Sequence, residues 1–133
     1  MKLDILAFGA HPDDVELGAG GLLAVHAAAG KKVGIIDLSR GEMGSRGTPE
    51  LRDDEAKDAG RILGCVVREN LTFPDGRIPT DHEAQVKVAE VIRKYQPEVV
   101  LMNAPTDRHP DHGRASQLVE EACFLSGLHK LVV

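Results

Sequence analysis

Apolar positions along this chain fall into short runs and longer blocks that alternate in a regular order. Leu3 to Phe8 (LDILAF) is a short apolar run closed by Gly9, the length and punctuation of a buried strand. Val15 to Ala29 is apolar nearly all round and predicts a helix stopped by Gly30, with Lys31 and Lys32 just beyond. Gly18, Gly20 and Gly21 weaken that helix by about 1 kcal/mol each, and close packing against a sheet is the expected compensation. Val33 to Leu38 (VGIIDL) is a second strand, and Ser39 to Gly47 is a loop rich in glycine and charge. Thr48 as N-cap and Pro49 at the first helical position open a helix that runs to about Leu63 and stops at Gly64. Val66 to Phe73 reads as a third strand, interrupted by Arg68, Glu69 and Asn70 and followed by the turn signal PDG at 74 to 76. Thr80 with Glu83 makes a capping box for a helix ending before Pro97. Glu98 to Asn103 (EVVLMN) is a fourth strand, and a last helix runs from about Asp111 to Leu125.

The order is strand then helix, four times over, and crossovers of that length permit only parallel pairing. The expectation is an α/β fold, a Rossmann-like, open, mainly parallel sheet with helices on both faces in three layers. At 133 residues the chain is one domain, 1–133. In such sheets the first strand commonly neighbours both the second and the fourth, and ligands bind at that switch point beyond the carboxyl ends of the strands. HPDD at 11 to 14 follows the first strand and HPDH at 109 to 112 follows the fourth, so the topology brings the two motifs together.

Each motif has a local logic. Pro12 disfavours helical geometry at His11, which holds the imidazole at the strand end while the helix begins at the proline. Asp13 and Asp14 then fall in the first helical turn, where the helix dipole favours carboxylates. The same holds for His109, Pro110 and Asp111, with His112 one position further. A single His-Pro-Asp is commonly no more than a strand-to-helix turn; two copies flanking one switch point define a functional site. Imidazoles and carboxylates without cysteine suit a divalent ion of the zinc type with an open coordination position.

Composition narrows the function. A net charge of -5, three phenylalanines, one tyrosine and no tryptophan argue against a nucleic-acid partner, lacking both the basic patch and the stacking platform. Cys65 and Cys123 are isolated, so they form neither a zinc ribbon nor a disulfide framework and are expected to be reduced and mostly buried. The opening MKLDILAFGAHPDD reaches acidic residues before any long apolar run, which argues against a signal peptide or a membrane span and makes the cytoplasm the default location. Neither GxGxxG after the first strand nor GxxxxGK[ST] is present, so a dinucleotide or P-loop site is disfavoured. Asp37 and Asp53 read as strand-end and helix-face charges, and His26, His82 and His129 as surface or packing residues without a role.

Taken together, AHPDDVELGAGG, RGEMGSRGTPELR, NLTFPDG and DRHPDHG resemble the LmbE/PIG-L-like zinc N-deacetylases, in the right order and over essentially the whole chain. The closest branch by resemblance is the bacillithiol biosynthesis deacetylases, which remove acetyl from N-acetylglucosaminyl malate. The resemblance implies one zinc ion per chain held by His11, Asp14 and His112, with Asp13 as general base. It implies that His109, oriented by Asp111, stabilises charge or donates a proton. It implies substrate contacts from Arg52 and, for a malate carboxylate, Arg108. It further implies a small-molecule N-acetylated sugar substrate and a homo-oligomer, a trimer or hexamer. Members of the family continue beyond the equivalent of LHKLVV with further strands and a segment that supplies a tyrosine, so the chain reads as C-terminally truncated.

The residue types suit amide hydrolysis on chemical grounds. An amide is a poor electrophile, so its hydrolysis needs an activated water and stabilisation of charge on the carbonyl oxygen, and zinc supplies both. Asp13, turned about 100° from Asp14 around a helix, can face a water without binding the metal. Three alternatives remain at this level: deacetylation of a different N-acetyl sugar, a phosphoesterase using the same cluster, and a small-anion or metal-binding Rossmann-like module without turnover.

Overall fold

The computed structural model describes all 133 residues. Strands β1 (Ile5–Gly9), β2 (Val33–Asp37), β3 (Val67–Asn70) and β4 (Val99–Leu101) alternate with helices α1 (Asp14–Ala28), α2 (Pro49–Leu63), α3 (His82–Tyr95) and α4 (Pro110–Ser126). All pairings are parallel and the strand order is β3-β2-β1-β4, so β1 lies between β2 and β4 as expected at a switch point.

Every residue of β1 and β2 is buried because helices cover both faces of the sheet. Alternate residues serve opposite layers. Leu6, Phe8 and Ile36 pack with α3 and α4, through Val88, Ala89, Ile92, Leu118, Val119 and Ala122. Ile5, Ala7, Val33 and Ile35 pack with Val15 and Leu23 of α1 and, partly buried, Leu63 of α2. The three-layer expectation is met, and no helix is long and apolar enough to cross a membrane.

Local chemistry moves some boundaries. β4 pairs only Val99, Val100 and Leu101 with β1 and does not reach Asn103, whose side-chain oxygen instead accepts the Ala10 N–H at 2.9 Å. β3 ends at Asn70, short of the expected Phe73; the Asn70 side chain donates to the Ser39 carbonyl (2.8 Å), and Thr72 follows with φ 58°. Thr48 caps α2 through Leu51 N–H as expected, whereas α3 is capped by Asp81, which accepts from Ala84 N–H at 2.9 Å, in place of Thr80. A carboxylate complements the positive end of the helix better than a hydroxyl.

The packing expected of the α1 glycines holds for one of them. Gly20 is buried against Leu63, while Gly18 and Gly21 face open space. The same helix exposes Leu17, Leu22 and Val25. Asp37 and Asp53 are ion-paired, Asp37 in the interior with Arg68 (2.8 Å) and Asp53 with Arg40 (2.8 Å). Cys65 and Cys123 are free and half-buried, and burial pushes both thiols up.

Candidate metal centre

The two HPD motifs meet at the carboxyl ends of β1 and β4. The rings of His11, His109 and His112 lie 4.7 to 5.5 Å apart, with His109 and His112 stacked at 10°. Asp14 sits between two of them, its Oδ2 lying 3.5 Å from His11 Nδ1 and 3.2 Å from His112 Nε2. The ligand atoms of His11, Asp14 and His112 all lie within 4.8 Å of one another, close enough to close around one cation.

The outer nitrogens of both imidazoles are held by carboxylates. His11 Nε2 is 2.9 Å from Asp111 Oδ2 and 3.0 Å from Asp75 Oδ1. His112 Nδ1 is 2.9 Å from Asp107 Oδ2. A carboxylate behind each imidazole fixes its ring and tautomer and makes the inner nitrogen a stronger donor, the usual support for a metal-ligating histidine. The arrangement therefore fits a divalent ion held by His11 Nδ1, Asp14 and His112 Nε2.

Electrostatics agree with that reading. Burial alone would pull the His11 pKa down, but Asp14, Asp111 and Asp75 outweigh it and raise it to about 9. Burial works against the charge on Asp14, yet hydrogen bonds from His11 and the charge of His112 hold its carboxyl below the usual range. Asp111 is fully buried and behaves likewise, held down by His11 and by the Ile78 and Gly76 amides.

Two sequence expectations are revised in detail. Asp13 is not in the first turn of α1 but precedes it, in the left-handed region at φ 86° and without a side-chain capping bond. That turn swings its carboxylate away from Asp14, leaving it 73% exposed and 3.9 Å from Arg52 Nη2. The Asp111 carboxylate turns to His11, Gly76 N–H, Ile78 N–H and Arg114, and touches His109 only through its backbone, whose N–H donates to His109 Nδ1 at 3.1 Å.

Arg52, expected from sequence to contact substrate, has a structural place beside the cluster. It donates to the Gly41 carbonyl (2.8 Å) and the Pro12 carbonyl (3.2 Å), clamping the loop after β2 to the HPDD turn. Gly41, at φ 66°, and Gly44 leave room for that guanidinium; a Cβ on Gly44 would sit 2.8 Å from Arg52 Nη1. A cleft of about 410 Å³ opens here, lined by Asp13, Ser45, Arg46, Arg52 and Glu55. Another of about 590 Å³, mostly apolar, borders Asp14, Asn103, Asp107 and His112. Arg108 lies exposed before His109 and makes no hydrogen bond to the cluster. His26, His82 and His129 are exposed. Sequence reasoning passed over Asp75, within PDG after β3, and Asp107; their position beyond strand ends was the available signal.

Fold and site together define a Rossmann-like α/β protein with a His/Asp/His cluster at its switch point that could hold a cation. Residues 6–123 match the PIG-L family, described as GlcNAc-PI de-N-acetylase, and the chain belongs to that family. It is 37% identical over 125 residues to the uncharacterized deacetylase YaiS of Escherichia coli, covering 90% of this chain and 67% of that protein. It is 34% identical to the diacetylchitobiose deacetylase of Thermococcus kodakarensis, covering 93% and 50%. Among solved structures, the conserved protein TT1542 of Thermus thermophilus superposes with TM-score 0.92 at 51% identity, covering 96% of this chain and 58% of that one. The 4-carboxy-2-hydroxymuconate hydratase of Pseudomonas putida KT2440 superposes at 0.87 with 31% identity, covering 98% and 59%. The chain thus spans about half to two thirds of the length of these relatives.

Proposed function

We propose that this chain carries the metal and base of a zinc-dependent N-deacetylase that hydrolyses the acetamide of an N-acetylglucosaminyl compound. The observation that carries this reading is the pair of imidazoles, each backed by a carboxylate, whose free nitrogens face Asp14. Zinc bound there lowers the pKa of water toward about 7 and polarises a carbonyl as a Lewis acid.

The chain's own residues divide the remaining work. Asp13, whose exposed carboxylate makes no hydrogen bond and lies 3.9 Å from Arg52, is the base that takes the proton of the attacking water. The same proton then passes to the leaving nitrogen, so water and amide give acetic acid and free amine, which part as acetate and an ammonium ion with no net change at Asp13. His109 Nδ1 already accepts the Asp111 N–H, so the neutral ring carries its proton on Nε2 and offers it as a hydrogen-bond donor to the developing oxyanion. Arg52 holds the polar cleft beside Asp13, where Ser45 and Arg46 present groups suited to sugar hydroxyls. Arg108 is assigned to an acidic aglycone. On this reading N-acetylglucosaminyl malate, the bacillithiol precursor, is the first substrate to try, alongside diacetylchitobiose and N-acetylglucosaminyl inositol.

Free amine released by zinc-loaded protein from each compound, with bound zinc measured in parallel, tests the reading. Zinc is expected at one per chain and lost in His11→Ala and His112→Ala. Zinc retained by the double variant refutes the site, and a zinc-replete protein that releases no amine from any of the three refutes the activity. The similarity to a hydratase supports a second reading, in which the same base and metal add water to the double bond of an unsaturated acid; loss of substrate absorbance in the same protein distinguishes it.

A further inference from the structure

The carboxylate of Asp75 does more than stand behind a histidine. Its Oδ1 is 3.0 Å from His11 Nε2, and its Oδ2 accepts the Met43 backbone N–H at 2.7 Å. Its own backbone N–H donates to Glu42 Oε2 at 2.9 Å. The side chain is only 9% exposed and faces the buried His11 ring, while its bond to Met43 lies at the surface. Glu42 and Met43 stand in the loop after β2 whose Ser45 and Arg46 line the polar cleft, and Arg52 holds the other flank of that loop through the Gly41 carbonyl.

We propose that Asp75 is a positioning residue that ties this loop to the metal ligand His11, so that loop order and metal affinity rise and fall together. The inference rests on the metal reading above. One carboxylate with its two oxygens divided between a ligand ring and a loop amide cannot move toward one without straining the other. A cation that fixes His11 therefore fixes Asp75 and, through Met43, the loop. By thermodynamic reciprocity, anything that orders the loop strengthens the cation site by the same factor. Asp111 holds the same nitrogen of His11 but reaches only Gly76, Ile78 and Arg114, so it does not make the link.

The test uses the full chain, with zinc affinity read by competition with a chromophoric chelator and loop order read as the rate of tryptic cleavage after Arg46. In the wild type, zinc slows that cleavage. Asp75→Asn loses the charge that faces His11 Nε2, whose hydrogen bond goes to Asp111, and its single acceptor cannot serve both the ring and the Met43 N–H, so it is expected to weaken zinc by about 10- to 100-fold, speed cleavage without metal, and lose the zinc-dependent protection. Glu42→Ala touches no ligand; it is expected to weaken zinc several-fold, and Glu42→Gln, which keeps the acceptor, to restore it. Zinc affinity within twofold of wild type in Asp75→Asn overturns the proposal. So does weakened zinc with protection intact, which would make Asp75 a support for His11 alone. If the wild type binds no zinc, the metal reading fails on its own, while faster cleavage in metal-free Asp75→Asn still reports the tether and an unchanged rate refutes it.

Discussion

Replacing Asp111 with asparagine separates two accounts of this residue. The buried carboxylate accepts from His11 Nε2 (2.9 Å) and Gly76 N–H (2.7 Å) on Oδ2, and from Ile78 N–H (3.2 Å) and Arg114 Nη1 (2.8 Å) on Oδ1. Asparagine offers one acceptor, so in either orientation its amide hydrogens confront two donors. Arg114 is 40% exposed and can turn to water, which limits the loss of its ion pair to under about 1 kcal/mol. The Ile78 amide cannot, and a buried unpaired N–H costs about 1–3 kcal/mol. Losing the charge opposite His11 adds a comparable amount, giving about 3 kcal/mol in all. For a domain of this size that lowers Tm by roughly 10 °C. Zinc affinity is expected to fall by about 10- to 100-fold, because the ring of His11 loses its anchor. Thermal denaturation by circular dichroism and chelator competition measure the two effects. If Tm and zinc affinity stay at wild-type values while only turnover is lost, Asp111 serves His109 and the assignment to His11 is wrong.

Three other outcomes follow from the same geometry. His11 has a pKa raised from 6.5 to about 9, so in metal-free protein its stabilising contribution is complete below 6.5 and lost as pH rises through 9. Zinc must displace the proton on Nδ1, so its apparent affinity should climb about tenfold per pH unit across that window and level off above it; a flat titration would contradict the assignment. Asp13 pays for its φ of 86° with backbone strain, so Asp13→Asn should keep Tm, Asp13→Gly should keep or raise it, and Asp13→Val should cost about 2 kcal/mol. Amine release should fall by at least about 100-fold in all three with zinc still bound; activity surviving in Asp13→Asn would remove it as base. Gly41→Ala drives a methyl group into the Arg52 guanidinium at a left-handed position and should cost about 1–2 kcal/mol, and by loosening the loop that Asp75 ties to His11 it should also weaken zinc, effects that melting and chelator titration measure separately.

Much of the architecture was legible from periodicity and punctuation. The apolar runs of β1 and β2, the Thr48-Pro49 opening and the Gly64 stop of α2 are properties of local sequence, and each element formed close to where those signals stand. The approach of the two HPD motifs was legible too, since parallel strand order places β1 beside β4. The shortened β4 was not, because its end is set by Asn103 bonding to Ala10, a partner 93 residues away. The capping of α3 by Asp81 shows a smaller limit, where adjacent Thr80 and Asp81 both satisfy the cap preference.

By itself, then, the sequence determined which residue types stand at the strand ends, and that they are histidines and aspartates suited to a cation. Only the tertiary structure decided what each carboxylate does. Asp13 leaves the helix because its backbone takes a left-handed turn, the Asp111 carboxylate supports His11 and reaches His109 only through its backbone N–H, and Asp75 joins the site from a turn that carries no histidine. Periodicity and capping act over a few neighbouring residues, whereas a carboxylate's partner is whichever donor the fold brings within about 3 Å. His11 is 64 residues from Asp75 and 100 from Asp111, and such pairings exist only once four strands have been laid side by side.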